Sequence, residues 1–128
     1  MPALLQLATH ADPRGSLTVL EREIPFPIRR VFVIHGVPEG IRRGGHRHKR
    51  TRLALVCFAG SCVIDCEAPS GSTSHVLDTP SQCLLIEPED FHWMHSFSPH
   101  AVLVVLASEP FDRADYIHEG YGSTAVPH

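Results

Sequence analysis

The stretch Arg52-Leu-Ala-Leu-Val-Cys57-Phe-Ala-Gly60-Ser-Cys62-Val-Ile-Asp-Cys66 decides the fold. Two short apolar runs meet at a Phe-Ala-Gly-Ser turn where Gly60 can take a positive φ, which reads as a β-hairpin. Both faces of Leu53–Phe58 are apolar, and so are both faces of Ala101–Ala107, so these strands need cover on two sides. A second copy of the chain or loops of a monomer would each supply it. Working outward, Ser16–Leu20, Arg30–Ile34, Thr73–Leu77 and Gln82–Ile86 are further β-rich runs separated by Gly, Pro, Ser and Asp. Pro25, Pro27 and Pro38 stand where strands end or stay unpaired. This spacing predicts an all-β sandwich or small barrel, with a short helix only over Asp112–His118.

With 128 residues, 43% hydrophobic and 20% charged, the chain is expected to form one soluble domain over residues 1–128. At that size a single core suffices without disulfides or structural metal. No apolar run approaches the roughly 18 residues that cross a bilayer, and Met1-Pro-Ala-Leu-Leu-Gln lacks a basic leader, so no membrane partner and a cytoplasmic location are expected. The four cysteines lack CxxC spacing and read as reduced core residues, a structural zinc site being the lesser alternative. Six of the eleven Lys and Arg fall in Arg42–Arg52, within a net charge of −3. A negative chain with no helix-turn-helix or RNA-binding motif excludes nucleic acid as the natural partner. The local basic segment suits a polyanionic small molecule such as a nucleotide diphosphate.

Ten histidines nearly equal the eleven Lys and Arg. In Gly40-Ile-Arg-Arg-Gly-Gly-His46-Arg-His48-Lys49 strand alternation projects His46 and His48 from one face, about 7 Å apart. A second cluster is Pro88-Glu-Asp-Phe91-His92-Trp93-Met94-His95-Ser-Phe97, where alternation separates His92 and Met94 from Phe91, Trp93 and His95. His10, His75, His100, His118 and His128 are expected at the surface, and His35 has no assigned place. A lone His-x-His pair fits a structural role as well as a site. The spacing Gly40-x5-His46-x-His48 is similar to the first cupin motif, but Arg52 and Leu53 occupy the positions for its glutamate. The second-motif histidine is displaced by one. No metal is expected, because too few donors remain and Arg47, Lys49, Arg50 and Arg52 oppose a cation. His46 and His48 then become candidates for acid–base chemistry, with nearby arginines favouring the neutral ring.

Several motifs together resemble the WxcM-like sugar 3,4-ketoisomerase family of cupins, from about Asp12 to Tyr121. They are Asp12-Pro-Arg14-Gly-Ser-Leu17, Ile24-Pro-Phe26-Pro-Ile28-Arg-Arg30-Val31, Arg43-Gly-Gly-His46-Arg-His48-Lys49, Leu55-Val-Cys57-Phe-Ala-Gly60, the second histidine cluster, and Asp112 with Asp115-Tyr116-Ile117. The resemblance implies a cupin jelly roll that needs no metal or cofactor and forms a homodimer, with N-terminal strands exchanged between subunits. It implies action on a dTDP- or UDP-linked 4-keto-6-deoxyhexose. His46 and His48 would be the acid–base pair, His48 taking the C3 proton so that an enediol forms and the ketone ends at C3. Arg14, Arg30, Arg43 and Lys49 would hold pyrophosphate or enolate oxygen. Phe91, His92 and His95 would line the substrate pocket.

Departures from the family pattern are Arg52 and Leu53 in place of an acidic residue and a glutamine, and Phe32 and Val33 in place of tyrosines. They motivate an alternative, a non-catalytic nucleotide-sugar-binding cupin. A metal-dependent cupin using His46, His48 and a second-cluster histidine is another. A 3,5-epimerase, with a histidine base and a tyrosine acid, fits less well because Tyr116 and Tyr121 are the only tyrosines and both come late.

Overall fold

The computed structural model describes residues 1–122, so His128 and the tail of the expected domain lie outside the described residues. The strands are β1 (Ala3–Gln6), β2 (Thr9–Asp12), β3 (Gly15–Thr18), β4 (Arg30–His35), β5 (Arg43–His48), β6 (Leu53–Ala59), β7 (Cys62–Ala68), β8 (Gly71–Leu77), β9 (Gln82–Ile86), β10 (Phe91–His95), β11 (Val102–Ala107) and β12 (Tyr116–Ile117). One five-stranded sheet has the order β1-β9-β6-β11-β4 and the other β12-β5-β10-β7-β8, while β2 and β3 form a separate hairpin. Neighbours such as β6 and β11, or β5 and β10, pair antiparallel. Period-2 alternation gives each sheet an inner face. Leu55, Leu103 and Val105 of the first sheet meet Ile64, Leu77 and Met94 of the second in one buried cluster. Truncating a residue such as Leu55 in that layer costs about 2–5 kcal/mol, a large share of the roughly 5–15 kcal/mol that holds a domain together. This two-sheet sandwich is the jelly roll the sequence implied.

The outer face of β6 and β11 is covered by the same chain. Ala54, Val56, Val104 and Leu106 pack against Leu7 and Ile24, with Leu5, Leu20 and Phe26 around them. The two-sided apolar pattern at the sheet centre is therefore satisfied within one copy. At the sheet edge, Val31 and Val33 on β4 stay 56% and 48% exposed.

All four cysteines are free and buried, as their strand positions predicted. The expected helix over Asp112–His118 is a correction. Only Arg113–Asp115 turns, as a 3₁₀ segment capped by the Asp112 side chain accepting from the Ala114 N–H. Asp115 is then drawn inward as a buried acceptor, and Tyr116 leaves in extended geometry to pair with His48. That pairing satisfies backbone groups a longer helix would have had to satisfy itself.

Candidate active site

A cavity of about 320 Å³ lies between the two sheets. Leu55 and Val105 from one sheet and Met94 from the other give it an apolar lining, and His46, His48, His92, Arg30 and Arg43 supply its polar groups. A bulge in β5 explains how one strand delivers three of these. In the β5–β10 register Met94 faces Arg43, Trp93 faces Gly44 and His92 faces His46, so Gly45 is the extra residue. Unbroken alternation would put Arg43 and His46, three apart, on opposite faces; the inserted residue restores both to the cavity side. Gly44 and Gly45 have φ of +94° and +77°, and a Cβ on Gly45 would lie 2.3 Å from the Trp93 ring.

The three histidine rings form one group. His46 sits 5.1 Å from His48 and 4.9 Å from His92 between ring centroids, and one ring nitrogen of each lies within 4.8 Å of the others. Two of the rings are tied from behind. His48 Nδ1 is 2.9 Å from Asp115 Oδ2, and His92 Nδ1 is 3.2 Å from the Asp90 carbonyl. His48 Nε2 is left buried with no hydrogen-bond partner among the described residues. Asp115 is itself held by the Thr51 hydroxyl at 2.5 Å and the Arg50 and Lys49 backbone N–H groups at 2.7 and 3.2 Å.

These surroundings set the protonation states. Burial, helped by the neighbouring His92 and His48 rings, lowers His46 to about 3. Burial likewise lowers His92 to about 4 against the pull of the Asp90 carbonyl. His48 is lowered by burial and by Arg30, with Asp115 opposing. Burial alone would raise Asp115, but the hydrogen bonds from Thr51, Arg50 and His48 outweigh it and hold the carboxylate at about 2. At neutral pH the site is thus three neutral imidazoles backed by one ionised carboxylate.

Of the residues expected at the site, His46, His48, His92, Arg30 and Arg43 line the cavity, and Arg14, Lys49, Phe91 and His95 do not. Arg14 lies at the tip of the β2–β3 hairpin, ion-paired to Asp12 at 2.7 Å. Lys49 is exposed, and its backbone N–H serves Asp115. Phe91 and His95 fall on the far side of β10, as alternation requires. Phe91 packs edge-on to Trp93, while His95 Nε2 is 2.7 Å from Asp65 Oδ2. The basic cluster also disperses: Arg47 reaches the Glu119 carbonyl, Arg50 pairs with Asp112 and Arg52 with Glu87. None of the three lines the cavity, which removes that part of the sequence argument against a cation. Together the three histidines offer nitrogen donors, with the second ring nitrogen of His48 and His92 already hydrogen-bonded, an arrangement able to hold a divalent metal.

Sequence reasoning gave Asp115 no role and set Tyr116 aside. Yet Asp115 orients His48, and the Tyr116 ring lies 4.6 and 4.7 Å from the His46 and His48 rings. The Asp-Tyr-Ile run was the only local signal for either. Phe111, 60% exposed at the cavity, and Phe32 flank the Arg30 guanidinium at 5.1 and 4.5 Å. His118, expected at the surface, is exposed and also lies 6.2 Å from His46.

The family described as "WxcM-like, C-terminal" (FdtA) matches residues 2–123. The chain belongs to the WxcM-like family. Among relatives of this family, a TDP-4-oxo-6-deoxy-alpha-D-glucose-3,4-oxoisomerase from Aneurinibacillus thermoaerophilus is 39% identical over 110 residues, covering 84% of this chain and 79% of that protein. A mutant of the 3,4-ketoisomerase QdtA from Thermoanaerobacterium thermosaccharolyticum, solved with TDP-4-keto-6-deoxyglucose, superposes with a TM-score of 0.89 at 38% identity, covering 92% of this chain and 87% of that one. The WlaRB TDP-quinovose 3,4-ketoisomerase from Campylobacter jejuni gives 0.88 at 36% identity, with 92% of each chain covered. This WxcM-like chain is therefore an enzyme of the sugar-nucleotide 3,4-ketoisomerase type.

Proposed function

We propose that the protein moves the ketone from C4 to C3 of a TDP-linked 4-keto-6-deoxyhexose by metal-independent histidine acid–base catalysis. The observation that carries this reading is the buried His48, its Nδ1 fixed by Asp115 and its Nε2 unpartnered at a cavity. A neutral imidazole so fixed is a base with one available lone pair, and it does not need to shed a proton first. His48 takes the C3 proton, and Asp115 stabilises the imidazolium that forms. His46, 5.1 Å away, helps move protons to the carbon that becomes C4–H. Arg30 and Arg43 offer permanent cations to the diphosphate or to the oxygen that gains charge in the enediolate.

The test is exchange of the C3 hydrogen of TDP-4-keto-6-deoxyglucose into deuterated water by chelator-treated protein. Exchange in the wild type and its loss in His48→Asn support the reading. Binding of the nucleotide sugar with no exchange in the wild type would leave a binding module instead. A second reading, a metal-dependent cupin, is favoured by the three converging nitrogens. Stoichiometric metal in the isolated protein, with activity lost on chelation, would decide for it.

A homodimer is proposed on a separate observation. Leu17, Ile28, Val31 and Val33 are each at least 43% exposed on the β2–β3 hairpin, the segment before β4, and the β4 edge. Arg14, at the tip of that hairpin, does not line its own cavity, and in this reading it serves the site of a second copy. Light scattering on the purified protein tests this, and a monomeric mass at micromolar concentration would overturn it. No helix among the described residues is long and apolar enough to cross a membrane.

A further inference from the structure

Moving a ketone from C4 to C3 takes four proton transfers. The C3–H proton leaves and O4 gains one, giving the enediol; then O3–H loses its proton and C4 gains one. Carbon transfers run perpendicular to the enediol plane, along the π orbital, whereas the lone pairs on O3 and O4 lie in that plane. Groups stationed over one face of the sugar are therefore badly placed to serve the oxygens as well.

Two hydroxyl-bearing residues line the cavity, Thr51 and Tyr116. Thr51 donates to Asp115 and is committed. Tyr116 makes ring contacts with both His46 and His48, and its hydroxyl has no hydrogen-bond partner among the described residues. Its ring is held in place because the backbone pairs with β5 at His48. The remaining polar groups are otherwise engaged: Arg30 and Arg43 do not give up protons at neutral pH, Asp112 pairs with Arg50 and caps the Ala114 N–H, and Glu109 pairs with Arg29.

We infer that Tyr116 is a further catalytic residue, whose hydroxyl passes a proton to O4 and takes one back from O3 while the histidines handle the carbon-bound protons. A phenol is donor and acceptor at one atom, so it can bridge the two neighbouring oxygens. As O4 is protonated it accepts the O3 proton, and it ends the cycle unchanged. No oxidant, metal or cofactor enters the balance.

This inference rests on the ketoisomerase reading, and Tyr116→Phe tests it while keeping the ring that packs on the two histidines. With TDP-4-keto-6-deoxyglucose, kcat is expected to fall about 100-fold or more with KM within about threefold, in the range by which one positioned acid–base group accelerates a reaction. Replacing Tyr116 by a fluorinated tyrosine, whose phenol ionises at lower pH, is expected to move the basic limb of the kcat profile to lower pH. The His46, His48 and His118 rings that face it are unchanged in that variant. A Phe variant retaining more than about a third of wild-type kcat, or a basic limb unmoved by fluorination, overturns the inference alone. A wild type that exchanges no C3 hydrogen takes down both the inference and the function it rests on.

Discussion

His48 Nδ1 lies 2.9 Å from Asp115 Oδ2, and both side chains are almost wholly buried, although the residues stand 67 apart in the chain. The carboxylate fixes the tautomer, so that the proton sits on Nδ1 and the lone pair on Nε2. Asp115→Asn presents an amide that can donate to Nδ1 and invert that tautomer. In catalytic triads the equivalent change costs about 10⁴ in kcat, and here a loss of at least about 100-fold is expected, with nucleotide-sugar affinity nearly retained. Kinetics together with nitrogen NMR of the His48 ring would check it; an unchanged tautomer and rate would show the pair to be structural only.

Stability should depend on pH through the same histidines. An unfolded histidine titrates near ~6.5, whereas in the fold His92 is held at about 4 and His46 at about 3. Between those limits the unfolded chain binds more protons than the native one. Stability is therefore complete above pH ~6.5 and declines on acidification, by about 1.4 kcal/mol per pH unit for each such group. The decline ends near pH 4 for His92 and pH 3 for His46. Asp115 adds its own share above its ordinary value of 3.8, lost as pH falls toward 2. Urea midpoints at pH 7 and pH 5 provide the measurement, and His46→Gln should flatten the slope. Equal midpoints at the two pH values would contradict the burial argument.

The bulge makes a local prediction. Gly45→Ala combines φ of +77° with a Cβ placed 2.3 Å from the Trp93 ring, so the ring or the strand must move. Left-handed backbone strain alone costs on the order of 1–3 kcal/mol. The variant should be destabilised by at least that much and should lose activity, because a straightened strand turns Arg43 away from the cavity. Full activity with lowered stability would show that Arg43 is not needed there.

If His46 and His48 act as proton carriers, a metal that claims the lone pairs of the three-histidine group disables them. Added zinc should inhibit through His46, His48 and His92, and chelator should restore the starting rate without lowering it further. His92→Asn should weaken the inhibition. Activity that rises with zinc would reverse the assignment and make these residues ligands.

Much of the architecture was legible because alternation and apolar content report on the neighbours of each residue along one strand. The hairpin through Gly60, the runs that became β4, β6 to β9 and β11, and the buried cysteines all follow from that local pattern. Spacing also placed His46 and His48 on a common face. The hairpin strand β2, the first strand β1 and the turn at Arg113–Asp115 were not legible, since Leu4 and the residues of β2 are exposed and Asp115 is turned inward by partners far away in sequence. Phe91 and His95 shared a motif with His92 but not its face.

By itself, the sequence determined the all-β class, the pair of histidines and the family, because these rest on residue type and short-range spacing. Tertiary structure alone decided that His92 joins the pair while His95 does not, that most of the basic segment turns outward, and that Asp115 and Tyr116 from the end of the fold complete the site. The physical reason is that a buried imidazole gains its protonation state and direction from groups that contact it through space. In this chain those groups lie on neighbouring strands, on the loop at Asp90 and in the 3₁₀ turn at Asp115, brought together by sheet register and by one inserted glycine.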